Sequence, residues 1–279
     1  MPRFSRKTVI VTGSSNGIGQ TVAVMFAKEG ANVTITGRNS QRLLETKEQI
    51  LKAGIEEDKV NMVVADLTTP QGQDDIINST VAKFGGIDIF INNAGAAIPD
   101  PHGKTGADQS MDTFHKNIQI NLQAVVEITK KVKPHLITSK GDMVNVSSTA
   151  AGPQAQPDFL YYSMAKAALD QYTRNIAIDL IQYGVRVNSV SPGLVVTGFT
   201  DAMGIPEEAN KKFVKFFESR RECLPIGKAG RPEDIGNLIL FLADRNLSEY
   251  IIGQTIVADG GTTLMMGVHA HNIKEIMGF

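Results

Sequence analysis

The sequence predicts an α/β protein built on a doubly wound parallel sheet of about seven strands, with helices on both faces. Two observations lead to this fold class. Strand-length apolar runs alternate with helix-length amphipathic segments along the 279 residues, which is the pattern of a parallel sheet with crossover helices. Several of the runs are also nearly continuous in Val, Ile, Met and Phe, as strands covered on both faces require.

The elements follow one another strictly. Each predicted strand is a short run rich in β-branched or other apolar residues: 8–11 (TVIV), 32–36 (NVTIT), 60–65 (VNMVVA), 87–91 (IDIFI), 142–146 (DMVNV), 185–190 (VRVNSV) and 255–257 (TIV). The predicted helices between them show apolar residues at helical spacing and cover 17–29, 41–53, 72–84, 111–133, 159–183 and 232–243. Right-handed crossovers then place helices on both faces of the sheet.

Residues 1–279 are expected to form a single domain, because no repeat or linker interrupts the alternation before Gly260-Gly261. Two irregular segments, near 96–110 and 196–223, are expected to be long loops, the second with a short amphipathic stretch at 213–217. Loops at the carboxyl ends of parallel strands are where such sheets bind ligands. We therefore expect these two loops to shape a substrate pocket.

Composition excludes several classes of protein. The 28 Lys and Arg residues balance 29 Asp and Glu residues, which argues against binding nucleic acid through its phosphates. No stretch approaches the ~20 apolar residues of a membrane span, and the N-terminus leaves no room for a signal peptide. The single cysteine, Cys223, excludes an internal disulfide, and no metal site is expected because His269 and His271 stand without cysteines or carboxylates. We expect a soluble cytoplasmic protein.

A glycine-rich turn joins the first strand to the first helix, with the sequence TGSSNGIG from Thr12 to Gly19. Glycines let a pyrophosphate approach the backbone, and a helix N-terminus offers N–H donors and a positive dipole end. The turn therefore predicts a dinucleotide site, although a glycine-rich turn that binds nothing would have the same sequence. A P-loop is not indicated, because no Gly-Lys-Ser/Thr ending follows.

Further motifs follow in order: Asn92-Asn93-Ala94-Gly95 after the fourth strand, Asn121 in a helix, Ser148 after the fifth strand, YSMAK at 162–166, SPGLVVT at 191–197 and DGG at 259–261. Together with the glycine turn they resemble the classical branch of the short-chain dehydrogenase/reductase family, in particular its tropinone-reductase-like and glucose-dehydrogenase-like members. The resemblance covers essentially the whole chain. It implies a Rossmann-type fold, an oxidoreductase acting on a carbonyl or secondary alcohol such as a carbonyl reductase, and assembly as a homodimer or homotetramer.

The resemblance also implies which residues contact a nicotinamide dinucleotide: Gly13, Ser15, Asn16, Gly17, Ile18, Gly19, Arg38, Asp66, Leu67, Asn93, Ala94, Gly95, Tyr162, Lys166, Pro192, Gly193, Val195 and Thr197. For Asp66, which matches a position that contacts the adenine, the alternative is an ordinary helix N-cap.

NADP(H) is expected rather than NAD(H). Proteins that bind NAD place an acidic residue about 20 residues beyond the glycines to hold the ribose 2′-hydroxyl. Here no acidic residue occurs between Glu29 and Glu45, and Gly37 and Arg38 stand at the end of the second strand. A guanidinium can bind a 2′-phosphate through two donors. The alternative is that Arg38 is only a solvated charge.

Tyr162 and Lys166 lie four positions apart in a predicted helix, so both side chains share one face. A phenol has an ordinary pKa of about 10 and needs a nearby cation to act as an acid–base group at neutral pH. Lys166 can supply that charge, whereas the residue four positions after Tyr161 is an alanine. The pair therefore predicts proton transfer to or from a substrate oxygen.

The family resemblance adds two catalytic residues to this pair. Ser148 is expected to hydrogen-bond the substrate oxygen, with Ser147 and Thr149 as competing hydroxyls, and Ser148 precedes Tyr162 by one position more than is usual in the family. Asn121 is expected to hold a water linked to Lys166, with Asn117 as its competitor one turn earlier. The expected activity is hydride transfer between NADP(H) and a carbonyl/secondary-alcohol pair. The alternatives are a non-catalytic NADP(H) sensor and an epimerase or dehydratase on the same scaffold.

Overall fold

The computed structural model describes residues 2–198, 204 and 206–266. Its centre is a seven-stranded parallel sheet in the order β3-β2-β1-β4-β5-β6-β7. The strands are β1 (Thr8–Thr12), β2 (Asn32–Gly37), β3 (Val60–Val64), β4 (Ile89–Asn92), β5 (Asp142–Val146), β6 (Arg186–Pro192) and β7 (Thr255–Ala258). The strand order reverses between β1 and β4, which is the place where open α/β sheets bind ligands. The predicted fold class is confirmed.

Helices cover both faces of the sheet. They are α1 (Gly17–Lys28), α2 (Ser40–Lys52), α3 (Pro70–Phe84), α4 (Met111–Ile118), α5 (Ala124–Ser139), α6 (Leu160–Ile181), α7 (Glu207–Glu218), α8 (Pro232–Ala243) and α9 (Arg245–Ser248). Within the described residues, no helix combines the length and apolar character needed to cross a membrane.

The core lies in two layers, one on each face of the sheet. Alternation along β1 shows the arrangement, because Val9 and Val11 pack into a cluster with α1, α2 and α8, whereas Ile10 packs into a second cluster with α3, α5 and α6. All of these strand side chains are fully buried. Burial on both faces is the reason why the strands read as continuous apolar runs.

Two elements differ from the prediction. The helix predicted over 111–133 is divided by a π-helical segment, Gln119–Gln123, and continues past Pro134 to Ser139. The second predicted loop, 196–223, contains a regular helix, α7, on which Phe213 and Phe216 are about half-exposed. Outside the described residues lie 199–203 and 205 of that loop, and also 267–279, which include His269 and His271.

A buried ion pair ties the amino ends of two central strands together. Arg186 begins β6 and Asp142 begins β5, with 2.9 Å between the Arg186 Nε and the Asp142 Oδ1. The Arg186 guanidinium also donates to the main-chain oxygens of Ser248 and Leu242. The amino ends of the strands are thus closed by charged contacts, which leaves the carboxyl ends to form a site.

Candidate active site

The glycine-rich turn is fastened to the end of β4 by side chains from both segments. Asn93 donates from Nδ2 to the main-chain oxygens of Thr12 (2.8 Å) and Gly13 (3.1 Å). In return, the Thr12 hydroxyl accepts hydrogen bonds from the main-chain N–H groups of Asn93 (3.0 Å) and Ala94 (3.1 Å). Four hydrogen bonds therefore bring the predicted residues Gly13, Asn93 and Ala94 together at the switch in strand order.

Gly19 occupies a position in this turn that no other residue can fill. A Cβ there would lie 2.3 Å from the Asn93 Nδ2 and 2.4 Å from the Gly13 oxygen. The first turn of α1 consequently sits directly against the strand ends. Asn16 precedes α1 without capping it through its side chain. N–H donors of the first helical turn are therefore left for another acceptor, which fits the phosphate site expected here.

Ser14, which the sequence did not single out, holds the same turn to β2. Its hydroxyl accepts from the main-chain N–H of Thr36 at 2.8 Å, and its own N–H donates to the Thr36 oxygen at 3.0 Å. The Thr46 hydroxyl of α2 donates to the Ser14 oxygen at 2.9 Å. Nothing in the local sequence distinguishes Ser14 from Ser15, so these contacts could be found only in the structure.

Beside the turn, the end of β2 lacks side-chain bulk and carries a positive charge. A Cβ at Gly37 would lie 3.3 Å from the Ser15 hydroxyl oxygen, so the two residues are in close contact. The Arg38 side chain is exposed and makes no hydrogen bond or ion pair with any described residue. Arg38 is thus available to an anion at this end of the sheet.

Asp66 follows β3 and forms a turn instead of capping a helix. Its Oδ1 accepts from the N–H (2.9 Å) and the hydroxyl (2.7 Å) of Thr68, while Thr69 caps α3. The N-cap alternative for Asp66 is therefore wrong. Burial raises the pKa of Asp66, but the Thr68 hydrogen bonds and the charge of Arg38 outweigh it and leave that pKa below its ordinary value. The neighbouring Leu67 is buried in the second core cluster.

From the end of β6 the chain returns to the glycine-rich turn. This segment carries four more of the predicted cofactor residues: Pro192, the last residue of β6, and then Gly193, Val195 and Thr197. A Cβ at Gly17 would lie 3.0 Å from the Thr197 Cβ, so Thr197 packs on the turn. Val195 forms an isolated bridge with Gly230, which holds this segment in place. The predicted cofactor residues from β1, β4 and β6 are thus neighbours.

Tyr162 and Lys166 lie on the buried face of α6, close to the same strand ends. They are 8% and 3% exposed, respectively. The Lys166 Nζ lies 5.8 Å from the centre of the Tyr162 ring and donates to the main-chain oxygen of Val146, the last residue of β5, at 2.8 Å. The structure therefore places a buried ammonium beside a buried phenol.

Burial shifts the protonation of both groups. It raises the pKa of Tyr162 to about 12, although a hydrogen bond with Ser148 acts in the opposite direction. Burial lowers the pKa of Lys166 to about 8, and the nearby carboxylate of Asp170 opposes that shift. The sequence led us to expect that positive charge beside Tyr162 favours its phenolate, whereas in the protein alone burial dominates and raises the pKa of the phenol. In the protein alone, the phenol is protonated at neutral pH.

The adjacent serines face different partners. Ser148 is hydrogen-bonded to Tyr162, and its Oγ also accepts from the Ala150 N–H at 3.1 Å. The Ser147 Oγ instead lies 3.5 Å from the main-chain oxygen of Lys166 and is hydrogen-bonded to Asp170. Of these two competing hydroxyls, the one predicted for the substrate oxygen is the one beside Tyr162.

Asn121 lies in the π-helical segment and is fully buried. Its side chain pairs with Ala96, accepting from the N–H at 3.0 Å and donating to the oxygen at 2.8 Å. A Cβ at Gly95 would be 2.8 Å from the Asn121 Oδ1 and 3.2 Å from the Lys166 Nζ. Asn121 and Lys166 therefore meet at Gly95, and π-helical turns occur frequently at functional sites.

Asn117 makes the same kind of contact one turn earlier, away from Lys166. Its side chain accepts from the Ile98 N–H at 3.1 Å and donates to the Ile98 oxygen at 2.9 Å. Its role in the described structure is to hold the segment after β4 against α4. Tyr161 likewise points elsewhere, since its hydroxyl donates to the Gln109 oxygen at 3.2 Å.

The Asp100 carboxylate orders the later part of the first expected substrate loop. It accepts from the N–H groups of Ser110 (2.8 Å) and His102 (2.9 Å) and from the Thr113 hydroxyl (3.1 Å). These hydrogen bonds, led by that from Ser110, hold the pKa of Asp100 well below its usual range. The loop is thus built as a fixed wall next to Tyr161 and the start of α4.

Known proteins resemble this chain over nearly its whole length. A family model described as enoyl-(acyl carrier protein) reductase matches residues 13–263. A crystal structure of a Caenorhabditis elegans short-chain dehydrogenase/reductase of unknown function, with cofactor, is 68% identical, with a TM-score of 0.96 over 97% of this chain and 100% of that one. A glucose dehydrogenase of Caenorhabditis elegans in the apo form is 52% identical, with a TM-score of 0.82 over 94% and 100% of the two chains. The meso-2,3-butanediol dehydrogenase of Serratia marcescens is 33% identical over 267 residues, or 95% of this chain and 98% of that protein.

Proposed function

The chain belongs to the short-chain dehydrogenase/reductase family, and on that premise we propose that it is an NADP(H)-dependent oxidoreductase that interconverts a carbonyl and a secondary alcohol. The observation that carries the proposal is the group formed by the half-buried Ser148 and the buried Tyr162 and Lys166. It adjoins the glycine-rich turn through Gly95 and Ala94.

Each side chain of this group has a separate task. Tyr162 donates a proton to the developing alkoxide during reduction and accepts it during oxidation. Lys166 stabilises the phenolate, because an opposite charge close to an acid favours the ionised form. Ser148 donates a hydrogen bond to the substrate oxygen, where negative charge develops. Asn121 orders the segment that contacts Lys166, as part of the proton path to solvent.

The residues of the glycine-rich turn fit a dinucleotide, because first-turn N–H groups of α1 are left uncapped by Asn16. When bound, the nicotinamide supplies or takes up the hydride. The pyrophosphate would be held by residues of the turn: Gly13, Ser15, Asn16, Gly17, Ile18 and Gly19. The adenine would lie near Asp66 and Leu67. The nicotinamide and its ribose would be held by Ala94, Gly95, Tyr162, Lys166, Val195 and Thr197.

We propose NADP(H) over NAD(H) on the strength of Arg38. Its guanidinium is exposed and makes no hydrogen bond or ion pair with a described residue, although its charge acts on the nearby Asp66, and a 2′-phosphate can accept two hydrogen bonds from it. Gly37, in contact with Ser15, places no carboxylate where it would repel that phosphate.

The substrate is proposed to be a partly apolar ketone or the matching secondary alcohol. The names of two relatives, a glucose dehydrogenase and a meso-2,3-butanediol dehydrogenase, refer to substrates with hydroxyl groups. In this chain the second substrate loop carries α7, whose Phe213 and Phe217 rings lie 4.6 Å apart. Apolar side chains at this position favour a substrate with an apolar body.

Assembly as a homo-oligomer, a dimer or a tetramer, is also part of the proposal. β7 is one of the two edge strands of the sheet, and Val257 on it is about half-exposed. Leu264 and Met266, which follow soon after, are exposed as well. Light scattering coupled to size-exclusion chromatography measures the mass directly, and a monomer at micromolar concentration would contradict this part.

NADPH consumption at 340 nm, measured with purified protein across a carbonyl panel, tests the function. The panel contains cyclic ketones, diketones, sugars and steroids, together with an α,β-unsaturated thioester for the reaction named in the family model. Turnover of a ketone to its alcohol is the expected result. Tight NADPH binding without turnover of any compound would contradict catalysis and favour a sensor. Conversion of substrate without net NADPH consumption would favour an epimerase or dehydratase.

A further inference from the structure

Asp170 is a partly buried carboxylate that the proposed reaction leaves unused. It lies on α6, four residues after Lys166 and eight after Tyr162, so the three side chains follow one face of the helix. Burial raises the pKa of Asp170, while Ser147, Arg174 and Lys166 act in the opposite direction. The proposed reaction assigns this partly buried carboxylate no task, so its effect on its neighbours has to be considered separately.

Ser147 connects Asp170 to the strand that carries the proposed active site. Its hydroxyl is hydrogen-bonded to the Asp170 carboxylate and lies 3.5 Å from the main-chain oxygen of Lys166. The next residue, Ser148, is hydrogen-bonded to Tyr162. One two-residue segment therefore links the carboxylate to the lysine and to the phenol.

The remaining neighbours of Asp170 are mostly polar and uncharged. It lines a chamber of about 320 Å³ together with Thr149, Ser191 of β6 and Thr255 of β7. Its Oδ1 is buried and makes no hydrogen bond with a described residue. Arg174, one turn later on α6, is exposed and donates from Nε and Nη2 to the Gln171 side chain.

The charged group that acts on Lys166 is therefore easily identified. Within the described chain, Asp170 is the charge that opposes the effect of burial on the pKa of Lys166. From the other elements packed against Lys166, the neighbours are the Val146 oxygen, Ser147, Gly95 and Asn121, none of which titrates. Tyr162, on the same helix, is the remaining titratable neighbour.

We propose that Asp170 is a positioning residue, which acts on Tyr162 through Lys166 by keeping the buried ammonium charged. The inference rests on the proposed function for its catalytic consequence. Asp170 does not contact the substrate or the reacting atoms. Along α6, Asp170 lies one turn beyond Lys166 and Tyr162 lies one turn before it, so the carboxylate and the phenol flank Lys166 on this face of the helix.

The sign of the effect follows from the charges. Without the carboxylate, burial of Lys166 is opposed less, so the ammonium loses its proton at a lower pH. The cation that stabilises the Tyr162 phenolate then disappears at a lower pH as well. Removal of the Asp170 charge should therefore move the alkaline limb of the pH–rate profile to lower pH.

The test compares Asp170→Asn with Asp179→Asn. Asparagine keeps an acceptor for the Ser147 hydroxyl, so the first variant removes the charge with little change in shape. Asp179 lies on the same helix, but it is exposed and pairs with Lys133. Thermal unfolding confirms that both variants are folded, and Asp170→Glu restores the charge at the same position.

The first readout is the Lys166 pKa, followed by ¹³C NMR of lysine-labelled protein, with the signal assigned from Lys166→Arg. This readout needs neither a substrate nor a known reaction. Asp170→Asn is expected to lower the Lys166 pKa by about one unit, whereas Asp179→Asn leaves it unchanged. Equal Lys166 pKa values in Asp170→Asn and the wild-type protein would overturn the proposal.

The second readout is the pH dependence of kcat for alcohol oxidation. The alkaline limb should move down by about one pH unit in Asp170→Asn and return in Asp170→Glu. Suppose that Tyr162→Phe is inactive and that Asp170→Asn lowers the Lys166 pKa but leaves the alkaline limb of the pH–rate profile where it was. That result would overturn the claim that Asp170 affects catalysis. If Tyr162→Phe keeps full activity, the proposed function fails, while a shifted Lys166 pKa still supports the coupling of Asp170 to Lys166.

Discussion

Ser148 is hydrogen-bonded to the Tyr162 phenol, although the two residues are 14 positions apart and belong to different elements. Ser148 follows β5 in extended backbone, and Tyr162 lies in the first turns of α6. The family resemblance predicted both residues, with a loop one residue longer than usual between them. The extra residue is accommodated in the segment before α6, and the two hydroxyls still meet.

This contact predicts different results for the two adjacent serines. Ser148→Ala removes a donor to the substrate oxygen and should lower kcat about 100-fold, the usual size of such a loss. Ser147→Ala serves as the matched control and should keep kcat at neutral pH within a few-fold, because Ser147 faces Lys166 and Asp170. Steady-state kinetics of both variants decide the point. Equal losses of kcat in the two variants would show that Ser147 and Ser148 do not have these different roles.

Arg38 predicts the cofactor preference. If Arg38 binds the 2′-phosphate as proposed, Arg38→Leu removes two charge-assisted hydrogen bonds and should lower kcat/KM for NADPH by about 10- to 100-fold. NADH has no 2′-phosphate and provides the control within the same protein, so its kcat/KM should stay nearly constant. If Arg38→Leu lowers kcat/KM equally for NADPH and NADH, or lowers neither, the proposal that Arg38 selects NADP(H) is contradicted.

Asp100 predicts a pH-dependent contribution to stability. Because its pKa in the folded protein is lowered, led by the Ser110 hydrogen bond, the ionised carboxylate stabilises the fold at pH values above its ordinary pKa. This contribution declines as the pH falls from that ordinary pKa, about 3.9, toward the lowered value.

Unfolding by denaturant at several pH values measures this contribution. Asp100→Asn should be less stable than the wild-type protein by a constant amount from about pH 8 to pH 5. The difference should shrink in more acidic solution. Asp112→Asn, at an exposed carboxylate nearby on α4 that pairs with Lys116, is the control. A difference that grows as the pH falls would contradict this role.

Much of the fold could be predicted because its signals are local. The strands are visible as apolar runs, since β1 and its neighbours are buried on both faces. The turn from Thr12 to Gly19 is recognisable from glycines that close packing requires, and Tyr162 was separated from Tyr161 by the position of Lys166 alone. In the structure, the Tyr161 hydroxyl donates to the main-chain oxygen of Gln109.

The remaining features depend on how distant elements pack. The family resemblance favoured Ser148 over Ser147, but their different partners become visible only in the direction of each side chain from extended backbone. Asn117 and Asn121 make similar contacts one turn apart, and they differ only because Gly95 brings Asn121 close to Lys166. Asp170 gives no local signal, because its partner Ser147 is reached through the register of α6 against β5. Helix α7 was expected only as a short amphipathic stretch.

The central claim is that Tyr162 is the acid–base group of a carbonyl–alcohol oxidoreductase. Tyr162→Phe and Tyr161→Phe remove the same hydroxyl from adjacent residues of α6 and form a matched pair. With a ketone identified from the panel, Tyr162→Phe should lose about 10³-fold in kcat, with NADPH affinity and thermal stability nearly unchanged, while Tyr161→Phe stays within about tenfold of the wild-type protein. Wild-type turnover by a folded, NADPH-binding Tyr162→Phe would contradict the claim.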